Sequence, residues 1–218
     1  MSSLERRLDM FQDIQRTRNF AAGGDGAIVF KAFTSPAFFP SSDPSNTPYK
    51  SRPSQALPSL ILDDTIAVGR CWEFAGQHGH VGIKLNENVH IRSISLDNVH
   101  ASLLTSTSAH KAPRDFSLWA LYEGPAIKDL PTESRPASHF LVSKPFPPGI
   151  SATSQFVLLV NSSYDISAFN TRQTFEVSSS FKDAPFPPNN FIILEISSNW
   201  GASSTCVYSV GIHGETVS

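Results

Sequence analysis

Apolar residues in this chain fall mainly in short alternating runs, and the alternation has the period of strands. Val81-Gly82-Ile83-Lys84-Leu85 places its apolar side chains on one face. Phe116–Tyr122, Phe156–Val160, Gln173–Val177, Phe191–Ile196 and Val207–Ile212 read as further strands, and Ala27–Phe33 as an early apolar one. His90–Leu96 alternates too, but Ile91 and the later Ile94 and Leu96 lie on opposite parities, which predicts a bulge or burial on both sides. Many short strands with no helix between them predict a mainly β fold, an antiparallel β-sandwich. One segment breaks the pattern. Leu4, Leu8 and Phe11 form a helical stripe within residues 1–18, and so short a helix needs something to pack on. It reads either as a helix on its own domain or as the end of an oligomerising coiled-coil stalk. The expected domains are therefore a helix over 1–18 and a β domain over 19–218.

Two long segments interrupt the strands. Thr34–Pro58 carries Pro36, Pro40, Pro44, Pro48, Pro53 and Pro58, which forbid a central strand there. Gly124–Ser154 is a second proline-rich insertion with no function assigned to it. A chain of 218 residues has room for one substantial core. Its charged fraction of 17% is low, and its net charge of −2 comes without a block of like charge. Nucleic acid and anionic membrane surfaces are accordingly poor partners. No apolar run reaches the roughly 20 residues of a membrane helix, and Met1–Asp9 lacks a signal-peptide core. Any targeting or anchoring part is expected outside this chain.

Candidate chemistry is sparse. Two cysteines, Cys71 and Cys206, are compatible with one bridge or with two buried thiols. His78 and His80 read as exposed turn histidines without the further ligands zinc needs. Gly23-Gly24-Asp25-Gly26 lacks the Lys-Ser/Thr of a phosphate loop, and no Gly-x-Ser-x-Gly elbow is present, so no enzyme is expected. Asn161-Ser162-Ser163 is a glycosylation sequon.

A set of short runs, taken in order, carries a resemblance. They are Ala21-Ala22-Gly23-Gly24, Cys71-Trp72-x-Phe74-x-Gly76, Ala112-Pro113-Arg114-Asp115-Phe116, Tyr164-Asp165, Gln173-Thr174-Phe175, Asn199-Trp200-Gly201, and Cys206-x-Tyr208 with His213-Gly214. Together, from about Asn19 to Glu215, they resemble a SUN domain, the luminal nuclear-envelope module. The resemblance implies a β-sandwich that trimerises through a helical stalk and lies in the perinuclear space at the inner nuclear membrane. There it holds the C-terminal tail of a KASH protein, making the LINC bridge from nucleus to cytoskeleton. The alternative is a SUN-like sandwich that binds another luminal protein or a glycan.

The resemblance also implies sites. It favours a Cys71–Cys206 disulfide and places Trp72 and Trp200 in the core. The peptide lid would be Thr34–Ser59, with Phe38, Phe39 and Tyr49 able to grip a KASH-type C-terminal peptide. The carboxylate pocket would use Gly79, Asn98, Lys111, Ser204 and Tyr208. Gly79 and Tyr208 keep the family residue, whereas Asn98 stands for a usual His, Lys111 for a Ser and Ser204 for a second Tyr. Ala32 stands where the family has the cysteine that bonds covalently to KASH. No catalytic cofactor is implied. A structural monovalent cation, K or Na, would sit on the backbone carbonyls of Leu60, Asp63, Thr65, Arg70 and Tyr208.

Overall fold

The computed structural model describes residues 18–38, 57–124, 132–178, 181 and 186–216. The helix expected over residues 1–18 lies outside these except for Arg18, as do Phe39 and Tyr49. Ten strands are present among the described residues: β1 Ile28–Phe30, β2 Trp72–Ala75, β3 Gly79–Asp97, β4 Asp115–Tyr122, β5 Ser134–Pro136, β6 Gln155–Ser163, β7 Arg172–Glu176, β8 Asn189–Ile196, β9 Ser204–Val207 and β10 Ser209–Thr216. All pairings are antiparallel, and the main sheet runs β1-β3-β8-β4-β6-β5.

β3 joins the two layers of the sandwich. Its first part, Gly79–Lys84, pairs with β1 and β8, and its last part, Ser93–Asp97, with β10 and β7. The change of face expected within His90–Leu96 is a bulge. Ile91 pairs with Gly214 and Ser93 with His213, so Arg92 is left over on β3. A Cβ on Gly214 would stand 2.1 Å from the His90 carbonyl oxygen, so only glycine lets β10 approach the bulge. The two layers enclose one core, with Val81, Ile83, Phe116, Leu118, Ile192 and Leu194 from the main sheet against Ile94, Leu96, Val210 and Ile212.

The main sheet is buried on its other face as well. Trp119, Leu121, Phe156, Phe191 and Ile193 point outward and are covered by Phe33, Ala137, Phe140 and Ile150. The proline-rich insertion thus has a structural role. From Ser134 on it adds β5 to the sheet edge, makes a short turn at Ala137–His139, and lays Phe140 on Trp119 and Phe156 at ring separations of 5.6 and 5.7 Å. Such aromatic pairs add about 0.5–1.5 kcal/mol each beyond the area they bury. Burial on both faces explains why β8 reads Phe-Ile-Ile-Leu without alternation.

Several expectations need correction. Val81–Leu85 and His90–Leu96 are parts of one strand, β3, and Trp200, placed in the core by the resemblance, is only partly buried, with Arg114 5.1 Å above its ring. The apolar stretch Ala27–Phe33 is a strand only over Ile28–Phe30; Lys31–Phe33 forms a tight turn that swings Phe33 under the cover. His80 is not a turn residue: it lies within β3, half-buried, with Nε2 2.7 Å from the Phe140 carbonyl.

Candidate functional site

β2 and β9 form a separate two-stranded ribbon, in register from Trp72–Val207 to Ala75–Ser204. A two-stranded ribbon is marginal alone, and here three features hold it. The first is the Cys71–Cys206 disulfide, with Cα atoms 5.6 Å apart. The second is Asn199, buried at the loop before β9. Its Nδ2 donates to the carbonyls of Ala202 and Ser204 and to Thr205 Oγ1, while its Oδ1 accepts from the N–H groups of Gly201 and Ala202. The third is Thr205, whose hydroxyl donates to the Gly76 carbonyl at 2.8 Å. The runs Cys-Trp-x-Phe-x-Gly and Asn-Trp-Gly therefore meet each other in space. Tyr164-Asp165 meets Gln173 in the same way: the Gln173 amide spans the turn, bonding both the N–H and the carbonyl of Asp165.

Strand alternation turns Trp72 and Phe74 into the core and leaves Glu73 on the opposite face. Glu73 organises the polar site. Lys111 Nζ donates to its Oε1 at 2.7 Å, and Ser204 Oγ to the same oxygen at 2.6 Å. Lys111 arrives from a single helical turn, Ser106–Ala109, capped by Thr105, and its carbonyl accepts the Cys206 N–H. Tyr208, the one residue between β9 and β10, packs with the disulfide, Ile66 and Val99. Its hydroxyl accepts the Gly69 N–H at 3.3 Å. Burial pushes the Tyr208 phenol above its usual value, with Glu73 adding to the rise and Gly69 and Lys111 opposing it.

The structure thus brings Lys111, Ser204 and Tyr208 together. Asn98 is buried at the end of β3, its Oδ1 taking the N–H of Val99, which packs on Tyr208. Gly79 meets a packing requirement, since a Cβ there would sit 2.6 Å from the Phe74 ring. Phe38 reaches the site through its backbone, donating its N–H to the Glu73 carbonyl at 2.7 Å. Glu73 itself was missed in the sequence. The signal was there in the register, because an outward residue between Trp72 and Phe74 must face Ser204 and Cys206 if the cysteine runs pair.

The loop before Cys71 is closed by two contacts. Asp63 Oδ2 and Arg70 Nη2 pair at 2.5 Å, and the Ala67–Arg70 turn, with Gly69 at a φ of 76°, rests on Tyr208. The Leu60 carbonyl accepts the Asp63 N–H and the Asp63 carbonyl accepts Ser209 Oγ, leaving each a second lone pair. Elsewhere, His213 Nε2 lies 2.8 Å from Ser95 Oγ, but its Nδ1 faces the Arg18 carbonyl at 3.2 Å, so no carboxylate orients this ring. Burial lowers the His213 pKa, only partly offset by that carbonyl. Trp72 and Trp119 are fully buried, so neither offers an open ring to a sugar.

Sandwich, ribbon and disulfide define a jelly-roll-like β module. The Sad1/UNC-like C-terminal family matches residues 51–133 and 148–216, and the chain belongs to that family, the SUN domains. It is 29% identical over 160 residues to SUN domain-containing protein 5 of Mus musculus, covering 72% of this chain and 33% of that protein. It is 30% identical over 164 residues to sperm-associated antigen 4 protein of Rattus norvegicus, covering 74% and 29%. With the nuclear migration and anchoring protein unc-84 of Caenorhabditis elegans it shares 27% over 149 residues, 68% of this chain and 11% of that protein. The chain thus spans about a third or less of these relatives. Among solved structures, the family 32 carbohydrate-binding module of Streptococcus pneumoniae EndoD shares the fold, with a TM-score of 0.53 at 12% identity over 91% of this chain and all of that one.

Proposed function

We propose that this domain holds the extreme C-terminus of a KASH-type membrane protein in the perinuclear space, as part of a LINC-type tether. Support comes first from family membership. The observation that carries it to particular residues is the double use of Glu73. Its backbone carbonyl holds the root of the proline-rich segment through Phe38, and its side chain holds Lys111 and Ser204. The last described residue at the root of that segment is thus fastened to the residue that holds the polar cluster, which favours strand addition with end-group capture. A peptide ending in a free carboxylate should bind and its C-terminal amide should bind far more weakly. Equal binding of the two, measured by fluorescence anisotropy, removes the carboxylate from the reading.

Self-association as a homotrimer belongs to the same proposal, with Leu4, Leu8 and Phe11 in the seam. Light scattering at micromolar concentration should give three times the protomer mass, and Leu4→Glu with Leu8→Glu should give one; a wild-type monomer rejects it. The carbonyls of Leu60, Asp63, Thr65, Arg70 and Tyr208 are proposed to hold a potassium or sodium ion, a hard cation suited to oxygen ligands. The melting temperature should rise when choline chloride is exchanged for potassium or sodium chloride at equal ionic strength. An unchanged melt in both salts overturns the ion.

A further inference from the structure

We infer that Asn161 is an N-glycosylation site, carrying a glycan on the uncovered end of the main sheet's outer face. The inference rests on the luminal reading above. Asn161-Ser162-Ser163 is the only Asn-x-Ser/Thr run in the chain once Asn46-Thr47-Pro48, which does not fit the pattern, is set aside. Sequons also arise by chance, and the structure supplies what the motif alone lacks.

The outer face of the main sheet has two zones. Under the insertion it is aromatic and sealed by Phe140. Beyond Trp119 it turns polar, along Ser117, Asn161 and Glu195, which pair across β4, β6 and β8. Arg135 marks the border, donating to Glu195 at 3.2 Å and lying 4.4 Å above the Trp119 ring. Asn161 is exposed, and its Oδ1 is 3.4 Å from Ser117 Oγ, so its amide nitrogen has no protein acceptor among these contacts. It opens onto a surface cavity of about 310 Å³ bounded by Thr132, Leu158, Phe175 and Glu176. That leaves open space with a polar rim beside Asn161 for the first sugar. The disulfide points to the same compartment, because structural bridges form where the secretory pathway is oxidising.

The transfer balances as a substitution. The Asn161 amide nitrogen forms a bond to C1 of an oligosaccharide carried on a lipid pyrophosphate, the C1–O bond to phosphate breaks, and the lipid pyrophosphate leaves while the nitrogen gives up one proton. The sequon hydroxyl is on Ser163, whose Oγ donates to Asp115 Oδ1 at 2.6 Å in the folded domain. Transfer therefore precedes closure of the β4–β6 ladder, while that hydroxyl is free. The finished glycan would keep the polar end of the face hydrated and bar it from protein docking, leaving the Glu73–Lys111 site on the β2–β9 ribbon unhindered.

The test uses the full-length protein expressed in a eukaryotic cell. Digestion with peptide N-glycosidase should raise gel mobility and convert Asn161 to aspartate in the peptide map. Asn161→Gln and Ser163→Ala should each abolish the shift, and Ser163→Thr, which keeps the hydroxyl, should retain it. An unmodified Asn161 peptide with no shift overturns the inference, and the thiol state read in the same sample separates the causes. With Cys71–Cys206 bridged, glycosylation alone falls. With both thiols free, the luminal reading falls with it.

Discussion

Replacing Cys71 and Cys206 together by serine should lower unfolding free energy by about 2–5 kcal/mol. The bridge spans 135 residues, and the chain-entropy estimate for a loop of that size is about 5 kcal/mol. Its position makes the upper half of the range the better expectation. The loop encloses β2 to β9, and the ribbon that the bridge staples has no other strand partner among the described residues. At this chain length the loss corresponds to roughly 5–20 °C in melting temperature. Urea unfolding of the oxidised wild type and the double variant measures it. A loss under about 1 kcal/mol would mean that Asn199 and Thr205 hold the ribbon unaided. Tyr208 packs on the bridge, so peptide binding should weaken along with stability.

Lys111→Ala should weaken binding of a peptide with a free C-terminal carboxylate by roughly ten- to a hundredfold, the worth of a charge-assisted hydrogen bond of about 1.5–3 kcal/mol. Glu73 makes a sharper test available. In the unbound domain the Lys111 ammonium already serves a carboxylate, with the two side chains 33% and 21% exposed. An incoming carboxylate competes with Glu73 for the same donor, so part of its gain is spent on displacing or repelling that group. Glu73→Gln keeps the shape and the acceptor for Ser204 but removes the charge. It should tighten binding of the free acid severalfold and leave the amide unchanged. If Lys111→Ala and Glu73→Gln both leave free-acid affinity where it was, Lys111 is only a partner for Glu73, and the pocket lies elsewhere.

Most of the long strands were legible in the sequence because they alternate or end at a turn residue, and even the bulge at Arg92 showed as a change of parity between Ile91 and Ile94; β2, β5 and most of β9 were not, being short and lacking an alternating apolar run. The disulfide came from the family runs, since two cysteines alone leave bridge and thiols open. Phe30 to Phe33 misled because a turn that buries Phe33 has the same apolar content as a strand that does. The cover was not legible either: Phe140 and Ile150 sit among prolines without period, and their burial depends on a sheet face formed elsewhere in the chain. For the site, Lys111 and Tyr208 were found by position in a family pattern, whereas the charge that faces Lys111 is set by the register of β2 against β9.

The cover has a meaning for descent. The family match skips residues 134–147, and Ala137, Phe140, Leu141 and Phe146, which lie in that gap, belong to the cluster that buries Trp119, Phe156 and Phe191. A lineage that lost this segment while keeping the aromatic strands would expose a broad apolar patch and invite aggregation. A lineage that gained it over a polar sheet would have nothing for Phe140 to seat on. The insertion and the outward side chains of β4, β6 and β8 should therefore be inherited as a unit, so that sister sequences without the segment carry smaller or polar residues at the positions of Trp119, Phe156 and Phe191.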